Sequence, residues 1–135
     1  MLKYTKLTLT FSLVFLTLTT GCSLSKKLSK KFIQNPSTLA LAKHLKQKDA
    51  KMYGAYWCLS CQAQKKAFGK QAGSQINYIE CDPAGQNPQV NFCRQAKVTS
   101  YPTWEINGKF FCQGGCSLET LADESGYQGD RNFQK

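Results

Sequence analysis

The run Trp57-Cys58-Leu59-Ser60-Cys61 constrains this chain more than any other stretch. It follows Met52-Tyr53-Gly54-Ala55-Tyr56, an apolar run that reads as a β-strand, and it opens Gln62-Ala63-Gln64-Lys65-Lys66-Ala67-Phe68, which reads as a helix. Cys58 therefore falls at a helix N-terminus. Unpaired backbone N–H groups and the positive end of the helix dipole favour thiolate there, and thiolate is the nucleophile of disulfide exchange. Cys61, one turn further on, can attack a mixed disulfide formed at Cys58, so the two thiols make a reversible two-electron switch. A bare C-x-x-C also serves as a zinc half-site or a local structural disulfide. A strand before it and a helix after it favour the redox reading.

Some forty residues on, Tyr101-Pro102-Thr103-Trp104 places a proline just ahead of another strand-like run. A cis peptide bond there would be a built feature; the alternative is an ordinary trans turn proline. Together the two motifs resemble those of the thioredoxin superfamily, over residues 37–135. A closer resemblance rests on further blocks in the same order: Phe68-Gly69-Lys70, Asn77-Tyr78-Ile79-Glu80-Cys81-Asp82-Pro83, Glu105-Ile106-Asn107-Gly108-Lys109 and Leu121-Ala122-Asp123-Glu124-Ser125-Gly126-Tyr127. These resemble the thioredoxin-like domain fused to, or partnered with, bacterial and plant homologues of vitamin K epoxide reductase. The resemblance implies an α/β, minimal thioredoxin-like fold with about four strands in a mixed sheet flanked by helices. It also implies electron exchange between exported cysteine-containing proteins and a membrane-embedded, quinone-coupled enzyme. No such enzyme is attached here, so the implied role is that of a free-standing partner with no cofactor of its own.

In that reading Cys58 is the attacking thiol and Cys61 resolves. Pro102, if cis, turns the Tyr101 backbone toward an extended substrate that can pair with it like an added strand. Trp57, Leu59 and Tyr101 would form an apolar docking surface around the sulfur.

Length and composition agree with one small domain. The chain has 135 residues, 41% of them hydrophobic, with eight Phe and six Tyr to fill a core. Seven cysteines point to an oxidising compartment, since cytosolic thiols are kept reduced. Residues 1–21 read as a secretory signal: Lys3 and Lys6 form the positive end, and residues 7–18 the apolar region. That region is too short to span a bilayer, which takes about 20 residues. Leu18-Thr19-Thr20-Gly21-Cys22 resembles a bacterial lipobox, although Thr19 departs from the usual aliphatic residue; it makes Cys22 the expected site of lipidation. Six cysteines then remain, and six can pair completely.

The formal net charge is +10, and losing Lys3 and Lys6 leaves +8. Part of that excess is Lys26, Lys27, Lys30 and Lys31 in a polar tether over residues 22–37, suited to an anionic membrane surface. No interleaving of basic and aromatic residues suggests a nucleic-acid face. The expected location is extracytoplasmic and membrane-anchored: periplasm, cell envelope or thylakoid lumen.

The domain proper is expected over residues 38–135. Ser37 or Thr38 caps a first helix with Leu39, Leu41, Ala42 and Leu45 as its buried stripe, and His44 lies on its solvated side. Residues 50–56 form the central strand, and the C-x-x-C helix runs to about residue 70. Residues 76–81 make a second strand, 89–97 a helix, and 103–112 a hairpin about Asn107-Gly108. Ser117 caps the last helix, with Leu118 and Leu121 inward. The tail after Gly126 is polar and reads as peripheral.

Cys81 and Cys93 match a cysteine pair of the resembled family. A structural disulfide there gains about 3 kcal/mol in the chain-entropy estimate, and the sharper alternative is an electron shuttle to Cys58. Cys112 and Cys116 depart from the family pattern. Gln113-Gly114-Gly115 permits a tight closure between them, and the pair is either a staple or a second redox centre beside the substrate groove. Zinc held by Cys58, Cys61, Cys112 and Cys116 is a further alternative that the oxidising context disfavours, so no metal is expected.

The direction of electron flow is equivocal. Leu59-Ser60 offers no charge to stabilise a thiolate, and Met52 stands where thioredoxin has an acidic residue. A disulfide donor is therefore weighed against a reductase for exported proteins, as in cytochrome assembly. The third reading is a non-catalytic lipoprotein whose disulfides brace a binding surface.

Overall fold

The computed structural model describes residues 35–133. The secretory segment, Cys22 and the tether through residue 34 lie outside the described residues, as do 134–135. The elements are α1 (Pro36–Gln47), β1 (Lys51–Gly54), α2 (Leu59–Gly73), β2 (Asn77–Glu80), α3 (Val90–Gln95), β3 (Thr103–Ile106), β4 (Lys109–Phe111) and α4 (Leu118–Ser125).

The four strands make one mixed sheet in the order β2-β1-β3-β4. β1 runs parallel to β2 and antiparallel to β3, while β3 and β4 form the antiparallel hairpin turned by Asn107 and Gly108, both at positive φ. Alternate residues of β1 serve opposite faces, as the strand period requires. Met52 joins a large core with Trp104, Phe68, Leu41, Leu45 and Leu121, from α1, α2, β3 and α4. Tyr53 joins a smaller one with Ile79, Cys81 and Cys93 beneath α3. Each large apolar side chain so buried contributes about 1.5–3 kcal/mol. This is the expected minimal thioredoxin-like arrangement.

Several local expectations are corrected. α1 is capped by Asn35, whose side chain accepts from the backbone N–H groups of Ser37 and Thr38. Pro36 opens the helix, where its missing N–H costs nothing. Ser37 and Thr38 are buried in the first turn instead of capping it. α2 runs past residue 70 to Gly73, with its irregularity at Gly69, where φ is 75°. α3 is shorter than expected.

His44 is half-buried and not solvated. Its Nε2 lies 3.0 Å from the Ser125 carbonyl oxygen, and its ring meets Tyr127 edge-on, fastening α1 to the end of α4. Nor is the tail peripheral. Gly126 ends α4 in the left-handed region, and the chain turns back so that Tyr127 and Phe133 are buried in the large core. Ser37 Oγ donates to Asp130 Oδ2, and Asn35 Nδ2 donates to the Asn132 carbonyl, tying the tail to the first turn of α1.

Candidate active site

Cys58 is itself the N-cap of α2. Its Sγ accepts a hydrogen bond from the Cys61 backbone N–H at 3.1 Å, the geometry in which helix-end donors stabilise negative charge on sulfur. Cys58 and Cys61 form a disulfide with Cα atoms 5.2 Å apart. Cys58 retains 6% of its surface and Cys61 only 1%. An incoming thiolate therefore reaches Cys58 first.

Around Cys58 the chain presents apolar surface. Trp57 is 57% exposed and Leu59 79%, and Tyr56 stands exposed beside them. The Tyr101-Pro102 peptide bond is cis. Tyr101 is half-buried, and its ring meets the Trp57 ring edge-on at 6.1 Å. Burial pushes the Tyr101 hydroxyl pKa up, with Asp82 and Glu80 adding to the effect. The Pro102 ring is fully buried, so it shapes the site through its backbone and presents no side chain to a partner. Trp57 and Leu59 thus flank Cys58 in the chain, and the ring contact joins Tyr101, the residue before Pro102, to Trp57.

The other four cysteines among the described residues form two further disulfides. Cys81–Cys93 is buried and joins the end of β2 to α3, with Cα atoms 5.7 Å apart. Cys112–Cys116 is half-buried and closes a loop in which Cys112, Gly114 and Gly115 all have positive φ. The four cysteines of the zinc alternative are therefore held in two separate disulfides.

The Cys112–Cys116 loop rests against the active-site elements. The Gly114 N–H donates to the Pro102 carbonyl at 2.9 Å, and the Cys116 N–H donates to Gln64 Oε1 at 2.8 Å. Between α2 and this loop runs a groove lined by Ser60, Ala63, Ala67, Gly114 and Gly115. A Cβ on Gly115 would come within 3.2 Å of Gln64 Oε1 and 3.5 Å of Pro102 Cγ, so only glycine fits closely there.

Sequence reasoning missed three side chains behind the disulfide. Glu80 is buried at the end of β2, directly opposite Gly54 in the register. Its Oε1 accepts from the backbone N–H groups of Tyr56 and Asp82, and its Oε2 accepts from the Tyr78 hydroxyl at 3.3 Å. Lys65 Nζ lies 3.1 Å from the centroid of the Tyr78 ring. Burial lowers the Lys65 pKa while Glu80 opposes that shift. Burial raises that of the Tyr78 hydroxyl, and Glu80 adds to it. The available signal was an acid in the alternating run Tyr78-Ile79-Glu80, where Tyr78 and Glu80 share a face.

No protein-family model matches the chain. Over 100 residues, 72% of its length, it is 41% identical to the thiol-disulfide oxidoreductase LTO1 of Arabidopsis thaliana. The chain is a thioredoxin-like relative of that oxidoreductase. It spans about a quarter, 26%, of the relative's length. Cys58 and Cys61 themselves have the geometry of a pair able to undergo thiol-disulfide exchange.

Proposed function

We propose that this chain is an extracytoplasmic thiol-disulfide oxidoreductase that passes disulfides from a quinone-coupled, vitamin K epoxide reductase-like membrane enzyme to exported proteins. The observation that carries the exchange chemistry is the Cys58 sulfur capping α2 at the centre of an exposed apolar surface. A thiolate of a client dithiol attacks Cys58, the Cys58–Cys61 bond breaks, and Cys61 leaves as thiolate. The client's second thiolate then attacks its own sulfur in the mixed disulfide and expels Cys58. The client loses two electrons, and the pair ends as two thiols. The membrane enzyme would recharge them, with Cys22 lipidation and the basic tether keeping the domain close to it.

Trp57, Leu59 and Tyr101 supply docking surface, and the Tyr101 backbone can pair with an extended client segment. Cys81–Cys93 braces β2 against α3, and Cys112–Cys116 braces the loop that borders the groove. A reductase would run the same steps in reverse. The reduction potential of the Cys58–Cys61 pair separates the two: near about −120 to −200 mV for a disulfide donor, near about −270 mV for a reductase.

The deciding test is turnover of a reduced, unfolded polypeptide with a regenerating oxidant. Cys58→Ser is expected to abolish it, and Cys61→Ser to accumulate the mixed disulfide at Cys58. A Cys58→Ser chain as active as the parent would overturn the proposal and leave a non-catalytic, disulfide-braced binding protein.

A further inference from the structure

A buried thiol can exchange only if its proton has somewhere to go, and Cys61 is almost wholly sealed from water. The helix end that serves Cys58 does not solve this, because Cys61 lies one turn inside α2. The position of Gly54 identifies the groups on the inner side. A Cβ placed on it would stand 2.8 Å from Cys61 Sγ and 3.0 Å from the Tyr78 hydroxyl oxygen, so these two atoms are within about 6 Å of each other. Direct contact or one intervening water spans that interval. The Tyr78 hydroxyl in turn donates to Glu80 Oε2.

We propose that Glu80, acting through the Tyr78 hydroxyl, is the proton acceptor and donor for Cys61, standing in for the acid that Met52 does not provide. This rests on the oxidoreductase reading above and adds the proton path to it. When the reduced pair is recharged, the Cys61 thiol gives its proton to the Tyr78 oxygen as Tyr78 passes its own to the Glu80 carboxylate. Cys61 thiolate then attacks Cys58 in the mixed disulfide and expels the oxidant's thiolate. When a client is oxidised, Cys61 leaves as thiolate and the proton returns along the same path. No electrons pass through Glu80.

The titratable groups facing this carboxylate are Tyr78 from its own strand, Lys65 from α2 and Tyr101 from the loop before β3. Lys65 is the competing candidate, since its ammonium stacks on the same ring. Its partial burial and its place over the ring face suit a counter-charge to Glu80. The two tyrosines have hydroxyl pKa values raised by burial, so neither holds a negative charge near neutral pH.

The test uses the full chain carrying Cys22→Ser, with the Cys58–Cys61 pair alone reduced, mixed with Ellman's aryl disulfide, with thionitrobenzoate release followed by absorbance. Cys58 attack releases the first equivalent and Cys61 attack the second. Glu80→Gln retains an oxygen for the Tyr56 and Asp82 N–H groups, so the fold is expected to survive. It should slow the second phase about a hundredfold at pH 7, make its rate climb with pH, and leave the first phase unchanged. Tyr78→Phe should do the same and keeps the test open if Glu80→Gln fails to fold. Lys65→Met removes a counter-charge but no proton acceptor, so it should slow the second phase far less than Glu80→Gln does. A folded Glu80→Gln chain with the parent's second phase and pH profile overturns this inference alone, as does a defect confined to Lys65→Met. A parent that gives no first phase overturns the oxidoreductase reading and this inference with it.

Discussion

The indole Nε1 of Trp57 donates to Asp82 Oδ2 at 2.8 Å, tying the residue ahead of the redox pair to the loop beyond β2. That bond holds an exposed indole in one orientation, edge-on to Tyr101, beside the sulfur it would help present. Asp82→Ala should free the ring. The expected outcome is a several-fold rise in KM for a polypeptide dithiol, with Cys58 reactivity toward glutathione disulfide unchanged; an unaltered KM would show that the restraint does nothing for docking.

The same bond sets a pH dependence. The hydrogen bonds from Trp57 and from the Ala84 N–H hold the Asp82 carboxyl below the usual aspartate range. A folded-state value that is depressed means the interaction is complete above the ordinary value of about 3.9 and is lost as pH falls through the lower folded one. Trp57 fluorescence should therefore stay constant from pH 7 down to about 4 and change only below that. A transition at higher pH would contradict the assignment.

The two outer disulfides should behave as braces of unequal weight. By chain entropy alone, Cys81–Cys93, twelve residues apart, is worth about 3 kcal/mol, and Cys112–Cys116, four apart, about 2 kcal/mol. Paired serine variants should lower Tm in that order. Only the second is expected to alter KM, because only that loop is bonded to Pro102 and Gln64.

Gly54→Ala tests the packing behind the redox pair. The added methyl has no room between Cys61 Sγ and the Tyr78 ring, so the expected cost is about 1–3 kcal/mol of stability with a changed reduction potential. Equilibration against glutathione buffers reads the potential, and thermal unfolding reads the stability. A neutral substitution would mean that Cys61 and Tyr78 move apart freely.

The C-terminal segment should be indispensable to the fold. Tyr127→Ala removes a buried ring that meets both His44 and Phe133, at about 3 kcal/mol by analogy with other large aromatic truncations. Denaturant unfolding measures it, and a loss below about 1 kcal/mol would return the tail to the periphery.

Much of this was legible in the sequence because the relevant signals are local. The strand-C-x-x-C-helix run fixes the place of Cys58, Asn107-Gly108 fixes the hairpin, and alternation fixes β2. What escaped depends on long-range packing. A run of Gly126, Tyr127, Gln128, Gly129 and Asp130 looks like a solvated end, yet Tyr127 is buried because α1 and α4 leave a space for it. Asn35 competes with Ser37 and Thr38 for the cap, and Pro36 decides it by setting the first helical residue. Met52 stands where thioredoxin has an acid, whereas a carboxylate on the neighbouring strand, Glu80, lies opposite Gly54, two residues further along β1, and only the register reveals that placement. Six of the seven cysteines could be counted into pairs, whereas the contact of the Cys112–Cys116 loop with Pro102 could not be read from spacing.

The hairpin's outer strand bears on how such a sheet behaves among unfolded chains. β4 is only three residues long, begins with Lys109, and ends where Cys112 turns into the left-handed region. At the opposite edge, the Glu80 carbonyl accepts the Gln89 N–H, and the Cys81–Cys93 link draws α3 against the end of β2. Open edges recruit foreign strands and seed aggregates. With one rim too short and charged to extend and the other partly occupied by its own chain, this sheet resists growth by strand addition. In the proposed function, extended polypeptides pair instead with the Tyr101 backbone, where a contact can form and then be released.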